Sequence, residues 1–308
     1  MTDHGDRGSG PRDPEELEAA GVVAAAEIPA GTRMGAVDLT VADLDRSVGF
    51  YTRDIGLQVL RREPGLAALG AGRHPLLVLV EEPGARPGTG FTGLYHFALL
   101  VADRADLARW LAHAARERVA LTGAADHFVS EALYLNDPDG HGIEIYWDRP
   151  RAHWEGQVAE RMTTLRLDLD GLLGELDDPR TEPFAGLPAG TTMGHVHLKV
   201  ADVPRTVAFY RDALGFALMA ALGPQAAFLA AGGYHHHIGA NVWDSAGAPP
   251  PPPGTAALRR ATIVLPDEQA RRTLLDRLDD AGHRLDEEDG VMVTRDPSGN
   301  ALALVAAR

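Results

Sequence analysis

The sequence contains no cysteine, which excludes disulfides and thiolate metal sites alike. It has no apolar run of about 18 residues or more, so no segment is expected to cross a membrane as a helix. Positive charge is scarce. The 29 Lys and Arg against 44 Asp and Glu leave a formal net charge of −15, which argues against nucleic acid and anionic membrane as partners. The opening stretch from Met1 to Pro14 lacks a signal-peptide core, and the chain is read as cytoplasmic, with a disordered tail over residues 1–30 and a short helix over Pro14 to Ala26. Phosphate-binding glycine loops, nucleophile elbows and nucleotide fingerprints are missing as well.

What is present is organised around Met193-Gly-His-Val-His-Leu-Lys-Val-Ala-Asp202. Alternation puts Val196, Leu198 and Val200 on one face of a strand, and His195, His197 and Lys199 on the other. Two imidazoles and an ammonium suit a sheet face that curls around a cavity rather than one that packs in a core. The segment Val200-Ala-Asp-Val-Pro-Arg-Thr-Val-Ala-Phe-Tyr210 repeats, at an offset of 159 residues, Val41-Ala-Asp-Leu-Asp-Arg-Ser-Val-Gly-Phe-Tyr51. This is an internal duplication. Two further strand–helix units begin near Leu94 and Ala257, and the turns Asp137-Pro-Asp-Gly140 and Asp296-Pro-Ser-Gly299 precede their last strands.

The pattern predicts an α+β chain of four βαβββ modules in two tandem domains, residues 31–150 and 191–308, joined by an acidic linker over 151–190. The Phe-Tyr…Leu-Gly-Phe ending of the helix and the Asp-Pro-x-Gly-x-x-Ile-Glu turn resemble the vicinal oxygen chelate superfamily of glyoxalases, bleomycin resistance proteins and extradiol dioxygenases. The resemblance spans about residues 34–306 and implies cupped sheets around a metal site.

In that superfamily the metal ligands are a His on a module's first strand and a Glu on its last. The second module offers His96 and Glu144, and the third offers His195; the first has Ala36, and the fourth has Arg260 and Ala303. Two His and one carboxylate make the donor set of a non-haem Fe(II) site with open positions. The resemblance to the catechol 2,3-dioxygenase-like branch further implies a catalytic Tyr134, ten residues before Glu144, an acid/base His237 in Tyr234-His-His-His-Ile-Gly239, and an assisting His127. His197 and His235 are candidate substrate contacts, while strand alternation turns His236 outward. His4, His74, His113, His141, His153 and His283 have no partner pattern and are read as surface residues.

Together with these residues, the resemblance implies an Fe(II)-dependent extradiol dioxygenase, with Mn(II) an alternative metal, acting on a small aromatic diol and dioxygen. A glyoxalase-like isomerase or thiol transferase and a metal-free binding protein are the alternatives. In typical two-domain extradiol enzymes all three ligands come from the C-terminal half. Here the equipped modules are the second and third, so they are expected to face each other, within one chain or across a dimer.

Overall fold

The computed structural model describes residues 27–307 together with Glu18–Ala19. Four units repeat one order of elements. The first runs β1 (Arg33–Val41), α1 (Leu44–Phe50), β2 (Gln58–Glu63), β3 (Leu66–Gly70) and β4 (Leu77–Glu81). The second runs β5 (Gly93–Val101), α2 (Arg104–Glu117), β6 (Leu121–Asp126), β7 (Ser130–Asn136) and β8 (Gly142–Asp148). After two short helices, α3 (Val158–Arg161) and α4 (Leu169–Leu173), the third has β9 (Thr192–Lys199), α5 (Val203–Ala208), β10 (Ala217–Leu222), β11 (Ala226–Ala230) and β12 (Ile238–Asn241). The fourth has β13 (Leu258–Leu265), α6 (Glu268–Asp280), β14 (Asp286–Glu288), β15 (Val291–Arg295) and β16 (Ala301–Ala306).

Within each unit the first and last strands pair in parallel and the others antiparallel. The units then join through their first strands, and they join across the two sequence halves. β5 pairs antiparallel with β9, so the second and third units form one sheet, in the order β10-β11-β12-β9-β5-β8-β7-β6. β1 pairs with β13, so the first and fourth units form the other. The second and third modules therefore meet within one chain.

The motifs that reveal the duplication bind the two sheets together. Both Phe-Tyr helices end in a five-residue π-helical turn, Tyr51–Ile55 and Phe209–Ala213, which buries the tyrosine. Tyr51 Oη donates to Asp137 at 2.9 Å, and Tyr210 Oη donates to Asp296 at 3.4 Å. Each aspartate also caps its own turn, accepting from the backbone N–H groups of Asp139 and His141 or of Ser298 and Asn300. One interaction thus connects a helix on one sheet to a turn on the other, twice.

Phe97, Leu99 and Val101 of β5, Val196 and Leu198 of β9, and Val200 just after it bury their side chains in a common core. The opposite face is left for the cavity. The β5–β9 ladder carries two bulges, which sharpen its curl. Gly194 is the extra residue between Met193 and His195, and Tyr95 is the extra residue opposite the step from His197 to Leu198. Gly194 has to be glycine because a Cβ there would lie 1.7 Å from Tyr146 Oη.

Three expectations are revised. Residues 151–190 are not a bare linker: Trp154, Val158 and Met162 are buried at helical spacing against Phe228 and Ala220. The tail expected over 1–30 and its helix over Pro14 to Ala26 lie largely outside the described residues, but Glu18–Ala19 pairs with Ala220 and Ala221, and Ile28 is buried. His113 and His141 are buried rather than on the surface, each bonded through Nε2 to a carbonyl of the first unit, that of Arg53 at 2.9 Å and of Thr40 at 3.0 Å. No helix among the described residues is long and apolar enough to cross a membrane.

Candidate metal centre and its cavity

His96 on β5, Glu144 on β8 and His195 on β9 come from three adjacent strands of one sheet. In the register, Ala98 stands opposite both Glu144 and His195, and its single methyl leaves space where a larger side chain would separate them. All three side chains are buried. Glu144 Oε2 lies 3.0 Å from His96 Nε2 and 2.9 Å from His195 Nε2, and the two nitrogens are 3.3 Å apart.

This triangle has the dimensions of three donors on one face of a coordinated ion. Donors at about 2.1 Å from a common centre and at right angles to each other stand about 3.0 Å apart. The donor types, two imidazoles and one carboxylate, suit a divalent first-row metal rather than the all-oxygen sites of calcium or magnesium. Burial works against a charge on Glu144, yet the facing imidazoles of His195 and His96 hold its carboxyl well below the usual carboxylate range. Burial likewise keeps His195 below the usual histidine value, which favours the neutral form a metal ligand needs. The buried His195 Nδ1 has no hydrogen-bond partner.

The triangle opens into a cavity of about 430 Å³. On one side Tyr134, paired with Glu144 in the β7–β8 register, donates its hydroxyl proton toward His127 Nε2 at 2.7 Å. The direction follows from His127 Nδ1, which lies 3.0 Å from the Thr163 carbonyl and must carry its proton there. Met162, Thr163 and Thr164 of the segment after α3 complete this wall. On the other side stand His197, Phe228, Trp243 and His236. His197 is held neutral well below the usual histidine range, chiefly by burial, and its Nε2 is unpartnered. Among the lining residues Glu144 is the sole acid, and no Lys or Arg is present.

Of the residues anticipated from sequence, His96, Glu144, His195, Tyr134, His127 and His197 all line this cavity. His237 and His235 do not. His237 Nδ1 accepts the Ala231 N–H at 3.1 Å, its ring packs against Tyr234, and burial pushes its pKa down to about 3. The histidine in the wall is His236, whose ring lies 4.1 Å from that of His195 and is likewise held neutral by burial. Strand alternation cannot be applied to this run, because β12 begins only at Ile238 and residues 235–237 follow a turn with Gly232 and Gly233 at φ 58° and 69°. Tyr95 is a second omission: its bulge turns it into the wall, where alternation would send it to the core. The wall contributed by 162–164 had a signal in the Trp154, Val158, Met162 spacing.

Comparison with known proteins places these features in context. A sequence profile described as Glyoxalase/Bleomycin resistance protein/Dioxygenase superfamily matches residues 33–145 and 192–304. A protein of Bacillus subtilis (strain 168) named catechol-2,3-dioxygenase is 43% identical over 278 residues, covering 88% of this chain and 95% of that protein. Among solved structures, a Bacillus subtilis subsp. subtilis str. 168 protein described as a candidate dioxygenase superposes with a TM-score of 0.61 at 14% identity, covering 91% of this chain and 86% of the other. Glyoxalase I from Zea mays gives 0.53 at 18% identity, covering 89% and 92%. At these identities the structural likenesses show the fold of tandem βαβββ repeats and nothing more.

Proposed function

This chain belongs to the Glyoxalase/Bleomycin resistance protein/Dioxygenase superfamily, and from that premise we propose that it is an extradiol dioxygenase that opens a catechol-type ring with dioxygen. The observation that carries the reading is the meeting of His96, Glu144 and His195 at one end of a cavity whose other polar groups can manage a proton. His96, Glu144 and His195 would hold Fe(II), or Mn(II) in its place. When bound, the ion would supply Lewis-acidic, redox-active chemistry to a diol and dioxygen.

The protein's own side chains do the rest. His236, neutral in the wall, takes the proton that a catechol hydroxyl gives up and returns it later in the reaction. Tyr134, whose proton is committed to His127, turns an oxygen lone pair toward the cavity and orients a substrate hydroxyl. His127, fixed by the Thr163 carbonyl, holds Tyr134 in that role. Phe228, Met162, Leu135 and Ile143 exclude water around the ring. A wall without Lys or Arg favours a ring free of carboxylate substituents. A glyoxalase-like reading expects a second carboxylate ligand, and Glu144 is the sole acid in the wall.

The test is anaerobic loading of metal-stripped protein with Fe(II), addition of catechol, and admission of oxygen. Stoichiometric oxygen uptake with a yellow ring-opened semialdehyde supports the proposal. An iron-loaded protein that consumes no oxygen with a range of neutral catechols refutes it.

A further inference from the structure

His236 is backed by a chain of hydrogen bonds that leads out of the cavity. Its Nδ1 lies 2.8 Å from Nδ1 of His235, which is fully buried. His235 Nε2 lies 2.9 Å from Asp148 Oδ1, at the end of β8. The second oxygen of Asp148 accepts the hydroxyl of Tyr234 at 2.8 Å, and Tyr234 is in turn bonded to Tyr146 at 2.8 Å.

Proton counting along this chain has one solution for neutral imidazoles. A carboxylate can only accept, so His235 carries its proton on Nε2. Its Nδ1 is then bare, and the one proton in the contact between the two rings belongs to His236 Nδ1. That leaves Nε2 of His236, at the opposite corner of the ring, without a proton. We propose that Asp148 and His235 are positioning residues that lock His236 in its Nδ1–H tautomer, so that the nitrogen left for the cavity is a base. The importance of this lock for turnover rests on the reading of His236 as the proton acceptor; the lock itself does not.

Asp148→Asn tests it. Tyr234 keeps hold of the amide oxygen, which turns the NH₂ toward His235 Nε2. His235 must then move its proton to Nδ1 and donate to His236, whose remaining proton shifts to Nε2. The same exchange of a carboxylate for an amide behind a catalytic histidine lowers turnover about 10⁴-fold in serine proteases through the wrong tautomer.

The direct readout is long-range ¹H–¹⁵N NMR on metal-free protein labelled with ¹⁵N-histidine, with the His236 signals assigned by their loss in His236→Gln. The expected result is an unprotonated Nε2 in the wild type and a protonated one in Asp148→Asn. In the iron-loaded enzyme kcat should fall about 10²-fold or more, with substrate KM little changed and recovery in Asp148→Glu. A wild-type His236 protonated on Nε2 overturns the proposal, and that measurement stands even if Asp148→Asn fails to fold. An unchanged tautomer in a folded Asp148→Asn overturns it too. If the tautomer inverts while His236→Gln retains full turnover, the lock is upheld and the assignment of His236 as the base falls.

Discussion

Replacing Glu144 with alanine removes the one negative charge in the cavity wall and leaves two imidazole nitrogens 3.3 Å apart with no anion between them. Even groups that touch only a metal's ligands are worth about 10–100-fold in metal affinity, so loss of a ligand is set at about 100-fold or more. At a free metal concentration about 100 times the wild-type Kd, binding stabilises the folded state by about 2.7 kcal/mol, and a Kd about 100-fold weaker reduces this to about 0.4 kcal/mol. For a chain of 308 residues the unfolding entropy near the midpoint is about 0.65 kcal/mol per kelvin. Metal should therefore raise the wild-type Tm by about 4 °C and that of Glu144→Ala by less than about 1 °C. The assay is calorimetry of metal-stripped protein with and without Fe(II) under anaerobic conditions, or with Mn(II). Because each variant serves as its own reference, any change in intrinsic stability cancels. His195→Ala should behave like Glu144→Ala, whereas His237→Ala should keep the full shift. A Glu144→Ala protein that still gains about 4 °C would refute the ligand set.

The remaining predictions concern the residues around the metal. His236→Gln should keep the metal-induced shift and lose about 10²–10⁴-fold in kcat; near-wild-type turnover would remove His236 from the mechanism. His237→Ala strands the Ala231 N–H and should cost about 1–3 kcal/mol in urea unfolding with kcat almost unchanged; a large loss of kcat at full stability would restore His237 to the site. Burial holds His197, His236 and His237 neutral in the folded protein, while an unfolded histidine takes up a proton near pH 6.5. Stability from these groups is full above about pH 6.5 and is lost as pH falls toward the depressed folded values, at about 1.4 kcal/mol per pH unit for each group. A urea midpoint of the metal-free protein that stays flat from about pH 7 to pH 5 would contradict this. Gly194→Ala drives a methyl into Tyr146 and should destabilise the protein by about 1–3 kcal/mol; equal or greater stability in chemical denaturation would show that Tyr146 is free to move.

Much of this architecture was legible in the chain, and the exceptions share a cause. The duplication and the four modules follow from a period of two and a repeated motif, which depend on local geometry alone, whereas the choice of His96, Glu144 and His195 follows from the resemblance to the vicinal oxygen chelate superfamily. The facing of the second and third modules follows from asking which modules hold donors. Alternation stops placing side chains where the period breaks. His236 and His237 exchange places because the strand starts one residue beyond them, and Tyr95 enters the wall through a bulge. Residues 151–190 have the acidic composition of a linker, yet Trp154, Val158 and Met162, and further on Leu167, Leu172, Leu176 and Leu187, bury apolar side chains and bring residues 162–164 to the cavity. The Asp148–His235 contact joins residues 87 apart in sequence, and no local pattern announces it.

The crosswise pairing of the halves has a consequence for how such a molecule can change. Two separate copies of one half, paired in this way, would be a symmetric dimer with two identical cavities, and every substitution would strike both. Joined in one polypeptide, the two cupped sheets are free to diverge. One holds His96, Glu144 and His195. At the matching places the other has Ala36, Arg260 and Ala303, and Arg260 is tied to Asp38 by an ion pair of 2.7 Å. The second cup has become scaffold, so the predicted stoichiometry is one metal per chain. Its wall is also the natural place to build a second, independent site without disturbing the first.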